Sequence, residues 1–150
     1  MPRLTAHFTV DELCRSQWAL RHGVSNEAGP LEQARLEQLC IRILEPLRSH
    51  LTRPINVSSG YRCPEVNAAI GGAQDSQHLL GEAADFTVQD FSNIEVCDTI
   101  VKLALPFDQL IWEFGEWGWV HVSHGPRNRR QILQAARSGG GVVYSDLALG

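Results

Sequence analysis

The chain has 150 residues, of which 43% are hydrophobic and 20% are charged. This composition is typical of one globular domain with a hydrophobic core, and it excludes a disordered chain. The formal net charge of −4 gives no overall basic field, so we expect no nucleic-acid partner. No apolar run reaches the length of a transmembrane helix or a signal peptide, so we expect no membrane insertion and a protein that is cytoplasmic as synthesised. We also expect a monomer.

The first part of the chain carries helix signals. Thr9 followed three residues later by Glu12 predicts a capping box at the start of a helix over residues 10–16. Residues 21–30 are rich in glycine, polar residues and proline, and predict a loop.

The strongest helical pattern covers residues 31–51. Apolar residues recur there at intervals of three and four, which makes one core-facing stripe. Pro46 lies inside this pattern, and a proline removes a backbone donor and crowds the preceding turn. We therefore expect a kink or a break near Glu45.

The second part of the chain carries strand patterns. Ser92 and Glu95 predict one more capped helix. Strand-prone runs lie at residues 55–58, 83–88, 107–112 and 119–123. The last two runs are joined by a glycine-containing turn, which indicates a hairpin. The order of elements predicts a single domain over residues 1–150, of the α+β class, with helices packed on one side of an antiparallel sheet. The tail after Ser138 begins with three glycines and is expected to be loosely held.

Candidate metal ligands lie in the segment from Ser76 to Asp85. Zinc prefers imidazole nitrogen, thiolate and carboxylate oxygen, and a catalytic zinc site needs three such ligands with one open position. His78 and Asp85 are both suitable, and Gly81 allows a tight bend between them. Taken alone, this spacing also fits a surface histidine beside a turn and an aspartate that closes a strand.

His121 is the best candidate for a third ligand. It lies between Val120 and Val122 in a predicted strand. Because side chains alternate along a strand, the valines face the core and His121 faces the other side, where it is available to a cleft. A solvated strand histidine is the other interpretation.

These motifs together resemble the zinc D-Ala-D-Ala carboxypeptidase family. The resemblance rests on Ser58-Ser59-Gly60-Tyr61-Arg62-Cys63-Pro64-Glu65-Val66-Asn67, on Gly71-Gly72, on Ser76-x-His78-x-x-Gly81-x-Ala83-x-Asp85, and on Trp119-Val120-His121-Val122-Ser123. It covers about residues 35–124, the core of the motifs. The same fold is shared by the metal-binding signalling domain of hedgehog proteins, in which fold and metal persist without peptidase work.

The resemblance implies that His78, Asp85 and His121 hold Zn²⁺ on a mixed or antiparallel sheet. It also implies a catalytic base upstream of the last histidine, where Glu113 and Glu116 are the two candidates. Members with a short hairpin carry the acid three residues before the histidine, but this chain has Gly118 there. We prefer Glu113 because it closes the predicted strand, whereas Glu116 would lie on the turn itself.

The resemblance further implies substrate contacts. Arg62 presents a planar fork that suits the terminal carboxylate of a peptide, although pairing with Glu65 is an alternative. Ser76 is expected to hydrogen-bond substrate or support the adjacent ligand. Trp119 stands where several relatives carry a second histidine or a tyrosine near the metal. His124 is a substitute for that group only if the strand bulges.

The function that these features imply is zinc-dependent hydrolysis of peptide bonds in peptidoglycan stem peptides. Both D,D- and L,D-bonds, and both carboxypeptidase and endopeptidase activity, stay open. A phage endolysin that acts on the cell wall after a holin-type lesion fits this reading. The alternatives are a non-catalytic metal-bearing binding module and a phage structural protein with the same fold.

Overall fold

A computed structural model describes residues 2–149 as six α-helices, three short helical turns of other types and one six-stranded sheet. The helices are α1 (Val10–Cys14), α2 (Gln17–His22), α3 (Pro30–Leu39), α4 (Glu45–Leu51), α5 (Pro64–Ala69) and α6 (Asn93–Lys102). The strands are β1 (Ile55–Ser59), β2 (Ala83–Val88), β3 (Gln109–Glu113), β4 (Trp119–Ser123), β5 (Gln131–Ser138) and β6 (Gly141–Asp146). Within the described residues no helix is both long and apolar enough to cross a membrane.

The fold belongs to the α+β class, as predicted, but the sheet is mixed rather than antiparallel. Its strand order is β1-β2-β4-β3-β5-β6. β3 and β5 run parallel, and the other four neighbouring pairs are antiparallel. The prediction of a purely antiparallel sheet is therefore wrong.

The parallel pair results from the link between β4 and β5. β4 ends beside the start of β3, where the Ser123 carbonyl accepts a hydrogen bond from the Asp108 amide over 2.7 Å. The link of residues 124–130 passes this end of the sheet, and the Gln131 amide donates to the Asp108 carbonyl. β5 thus begins next to the start of β3 and must run in the same direction.

The two faces of the sheet have different roles. One face packs against helices α3, α4 and α6 around Ala84 and Phe86 of β2 and Val120 and Val122 of β4, all fully buried. Because side chains alternate, the residues between them point to the opposite face. Asp85 is among these, so the candidate metal ligands lie on the face away from the helical core.

Both predicted capping boxes are present. Thr9 caps α1 together with Glu12, and Ser92 caps α6 together with Glu95. Helix α2 is capped by the Ser16 hydroxyl, and its last two residues fall in the segment 21–30 that the sequence predicts to be a loop. It and α5 span only six residues each, too few for a periodic pattern to show in the sequence.

The helical segment of residues 31–51 is interrupted where the proline predicted it. Residues 40–44 form a π-helical turn, in which the Glu45 amide donates to the Cys40 carbonyl five residues earlier. Helix α4 then begins with Pro46 in its first turn. The widened turn lets the chain continue past a residue that has no amide donor.

The segment after Ser138, predicted to be loosely held, contains strand β6. The glycines at 139 and 140 form the turn of a hairpin, each with a positive φ, and β6 pairs with β5 along its whole length. All six residues of β6 are exposed. The mobility of this hairpin stays a prediction.

The end of β1 is held by a close approach between Gly60 and α1. A side-chain carbon on Gly60 would collide with the backbone carbonyl of Leu13, and that carbonyl accepts a hydrogen bond from the Tyr61 amide. We predict that Gly60→Ala lowers the free energy of unfolding by about 1–3 kcal/mol, because the backbone must shift to admit the methyl group. Urea unfolding measures this change.

Gly141→Ala is the matched control. Its added carbon would meet only the Ser138 carbonyl, at an ordinary 3.8 Å. Equal stability of the two variants would contradict the predicted collision.

Candidate metal centre

His78 is held in one orientation by the backbone. It lies in the short 3₁₀ turn Gln77–Leu80, which the Ser76 hydroxyl caps. Its ring Nδ1 is 2.7 Å from the Gly60 carbonyl oxygen. Since a carbonyl only accepts, Nδ1 carries the proton and Nε2 keeps a free lone pair. Metal-binding histidines commonly have this arrangement, in which one ring nitrogen donates to a carbonyl or carboxylate and the other binds the metal.

Asp85 and His121 are brought together by the register of the sheet. They are directly paired across β2 and β4, and His121 Nδ1 lies 2.8 Å from Asp85 Oδ1. His78 Nε2 lies 3.4 Å from the same oxygen. The structure therefore places the three predicted ligands in one buried cluster, with a ligand atom from each within 4.8 Å of the others.

The donor set of this cluster fits a zinc ion. Two imidazoles and one carboxylate are ligand types of catalytic zinc sites, and three protein ligands leave a position for water or substrate. All three side chains are buried, so a bound ion would be shielded from bulk water on the protein side. His78, Asp85 and His121 are the residues that would hold it.

Burial and mutual contacts shift the pKa values of all three side chains of the cluster. Burial would raise the pKa of Asp85, but the two histidines hold it well below its usual range. Burial lowers the pKa of His78. Burial would also lower the pKa of His121, but its hydrogen bond to Asp85 and the charge of Asp85 raise it overall. A metal ion would take the place of the proton that His121 now donates to Asp85.

Glu113 lies beside the cluster. It ends β3 and pairs with Trp119 on β4, two positions from His121 and on the same face. Its Oε1 is 3.7 Å from His121 Nδ1, and its side chain is 13% exposed. Burial, followed by the charge of Asp85, raises the pKa of the Glu113 carboxyl. A carboxylate at this distance from the three candidate metal ligands is placed to exchange protons with a water molecule in the cleft.

Glu116, the second candidate base, is turned away from the cluster. Its Oε1 accepts a hydrogen bond from the Asn93 amide over 2.7 Å, and its Oε2 accepts from the Ile94 amide and the Trp112 indole. These are the first amides of α6, so Glu116 anchors the hairpin tip to the start of a helix. The geometry therefore favours Glu113.

Arg62 reaches the cluster from the other side of Asp85. Its Nη2 lies 3.3 Å from Asp85 Oδ2, and its other nitrogens donate to the Ser59 hydroxyl and the Asn67 side-chain oxygen. Burial lowers the pKa of the guanidinium, and Asp85 and Glu113 act against that effect. The alternative pairing with Glu65 is absent from the described residues. Asn67, which belongs to the same sequence motif, therefore helps to hold the Arg62 guanidinium in place.

The remaining predicted contacts fall in three places. Ser76 caps the turn of His78 and lines the same cleft. Trp119 lines the cleft too; its buried indole nitrogen has no hydrogen-bond partner among the described residues, although it is near enough to Glu113 to lower the pKa of that carboxyl. His124 instead lines a different cavity beside Glu82, away from the cluster.

An ion pair at the rim of the cleft is not predicted by the sequence patterns above. The Asp108 side chain is fully buried, and Arg129 donates to it from Nε over 2.9 Å and from Nη2 over 2.8 Å. Hydrogen bonds from Arg129 lower the pKa of Asp108 to about 2. Gln77, adjacent to His78, donates to the same carboxylate. No local signal could reveal this pair, because it depends on the path of residues 124–130.

A buried cluster of two histidines and an aspartate, open to a cleft of about 420 Å³ and flanked by a carboxylate, is the arrangement of a metal-dependent hydrolase. The family model described as Peptidase M15 matches residues 6–123. The chain belongs to this peptidase family and is a metallopeptidase. No curated protein matches the chain.

We predict that His78→Ala abolishes binding of one zinc ion per chain, because two ligands cannot replace three in this cluster. His124→Ala is the matched control, since this histidine lies outside the cluster, and it should keep full binding. Calorimetric zinc titration of both purified variants measures the stoichiometry. Zinc binding by His78→Ala with unchanged affinity would contradict the assignment.

Proposed function

We propose that this metallopeptidase uses zinc to hydrolyse peptide bonds in peptidoglycan stem peptides, at D,D- or L,D-bonds. The observation that carries the proposal is the Glu113 carboxylate, which lies 3.7 Å from His121 beside the three-residue cluster. Membership of the Peptidase M15 family supports the substrate class.

Glu113 would act first as the general base and then as the general acid of the reaction. His78, Asp85 and His121 would hold a zinc ion, which would supply a Lewis acid for the scissile carbonyl and would lower the pKa of water toward neutrality. Glu113 accepts the proton of the attacking water and delivers it to the leaving amine. Burial raises the pKa of the Glu113 carboxyl, which makes it a stronger base than an exposed glutamate.

Arg62 would orient the substrate. A guanidinium has five N–H donors, and three of its nitrogens are engaged by Ser59, Asn67 and Asp85. Two donors are left over, and Arg62 lines the cleft. A substrate carboxylate bound there would be fixed relative to Glu113, which lowers the entropic part of the barrier. Ser76, on the same wall, is a further proposed contact.

A phage endolysin is the biological setting that we propose. A small wall-cleaving peptidase of this kind reaches its substrate when a holin-type lesion opens the membrane. The resemblance to the hedgehog signalling domain suggests the same fold, and it defines the rival function, a binding module with a structural metal. Glu113 and Arg62 favour the enzyme, because a structural metal site needs neither a neighbouring base nor a guanidinium that lines the cleft.

Digestion of purified peptidoglycan tests the proposal. The protein should release new peptide ends with zinc and none with a chelator, and mass spectrometry of the ends identifies the bond that is cut. A new C-terminal D-alanine indicates a D,D-bond, and a new C-terminal L-residue indicates an L,D-bond. Zinc binding without any released end would overturn the proposed cleavage of peptidoglycan and favour the binding module.

The two candidate glutamates give a matched pair of variants. We predict that Glu113→Gln lowers kcat about 10²- to 10⁴-fold while zinc binding is kept, because the amide cannot accept the proton. Glu116→Gln should keep kcat within about twofold but lose about 1 kcal/mol of unfolding free energy, because it weakens the contacts to the first turn of α6.

Turnover on peptidoglycan fragments and urea unfolding measure the two effects. The opposite pattern, with turnover lost only in Glu116→Gln, would make Glu116 the base.

A further inference from the structure

The C-terminal hairpin of β5 and β6 extends the face of the sheet on which the candidate metal ligands lie. It lies beyond residue 123, where the family match ends. β5 pairs with β3, which carries Glu113, and β6 pairs with β5. The hairpin therefore adds two strands next to the proposed base, from a part of the chain to which the family match assigns nothing.

One row of paired residues leads from the cluster to this hairpin. Trp119 pairs with Glu113, Glu113 pairs with Ala135, and Ala135 pairs with Tyr144. Paired residues of neighbouring strands share a face, so Tyr144 stands on the face of Glu113 with only the methyl group of Ala135 between them. A large ring beside a small residue can lean toward the base.

Tyr144 stands where two cavities meet. The cleft of about 420 Å³ and a second cavity of about 480 Å³ share Arg62, Asp85, Glu113, Trp119 and Tyr144 among their lining residues. The cluster and the base thus lie at a junction, with space for substrate on both sides.

Both cavities have charged lining residues away from the junction: Asp75, Arg127 and Arg129 in the first, and Arg15 and Arg137 in the second. The second also has an apolar part, formed by Trp18 and by Ile70 and Val142, which are 48% and 41% exposed. Exposed apolar side chains that line a cavity continuous with a reaction centre suit the small apolar side chains of a peptide.

We propose that the second cavity is a subsite for the part of the peptide substrate beyond the cut bond, and that Tyr144 contacts the substrate at the junction. This inference rests on the proposed function. The occupant is a short peptide segment with small apolar side chains, such as alanine, and its backbone carbonyl accepts a hydrogen bond from the Tyr144 hydroxyl. The side chain of Tyr144 is free for this contact, since the residue is 54% exposed.

The electrostatic surroundings of Tyr144 agree with a donor role. Burial raises the pKa of its phenol, and the charges of Glu113 and Asp85 raise it further. The hydroxyl therefore stays protonated at neutral pH.

Steady-state kinetics on a soluble stem-peptide fragment that the wild-type protein cleaves tests the inference. Tyr144→Ala should raise KM about tenfold with kcat within about twofold, because a contact made equally in ground and transition state is lost. Tyr144→Phe keeps the ring and should raise KM about threefold. Val143→Ala is the matched control, because Val143 is 53% exposed on the opposite face of the same strand and should change neither constant.

A substrate truncated to the two residues that flank the cut bond supplies the second measurement. It leaves the second cavity empty, so wild-type kcat/KM should fall at least tenfold, and Tyr144→Ala should change the remaining rate of the short substrate less than twofold. An equal loss on long and short substrates would show a structural role for Tyr144 and overturn the subsite. An unchanged KM in Tyr144→Ala would overturn it too.

These outcomes are separable from failure of the proposed function. If the wild-type protein cleaves no stem peptide, the proposed function fails and the subsite fails with it. If the wild-type protein cleaves and Tyr144→Ala matches Val143→Ala, only the subsite fails. Zinc titration of each variant should show one ion per chain, because Tyr144 is not among the cluster residues.

Discussion

The buried carboxylate of Asp85 is the constraint on which the rest of the site depends. An ionised group in the interior costs several kcal/mol unless it is paired and hydrogen-bonded. Here His78 and His121 approach one oxygen and Arg62 approaches the other. These three residues come from a 3₁₀ turn, from β4 and from the segment after β1, so one charge draws three separate parts of the chain to a single point.

Strand alternation allows this polar centre to exist inside a small domain. In β2 the neighbours of Asp85 are Ala84 and Phe86, which are fully buried against the helices, while Asp85 points the other way. The hydrophobic core and the polar cluster thus share the same two central strands without mixing. The helices pack against one face of the sheet, and the polar cluster lies on the other face. The C-terminal hairpin adds two strands to the edge of the same sheet.

Local patterns predicted much of this architecture, and distant contacts account for the rest. Capping boxes at Thr9 and Ser92 and the alternation around His121 are signals carried by neighbouring residues, and the corresponding elements are present. The parallel placement of β5 depends on Asp108 and Arg129, which are 21 residues apart. The choice between Glu113 and Glu116 depends likewise on the backbone of α6, which no hairpin pattern reveals.

Glu116 also has a consequence for the length of the hairpin. Its carboxylate ties the tip between β3 and β4 to the first amides of α6, and the Asn93 side chain donates to the Gly118 carbonyl. The tip of the hairpin is therefore anchored to α6 by hydrogen bonds. An insertion or deletion in residues 114–118 would shift the end of β3 relative to α6. A change in the length of this hairpin would therefore move the Glu113 carboxylate, because Glu113 is the last residue of β3.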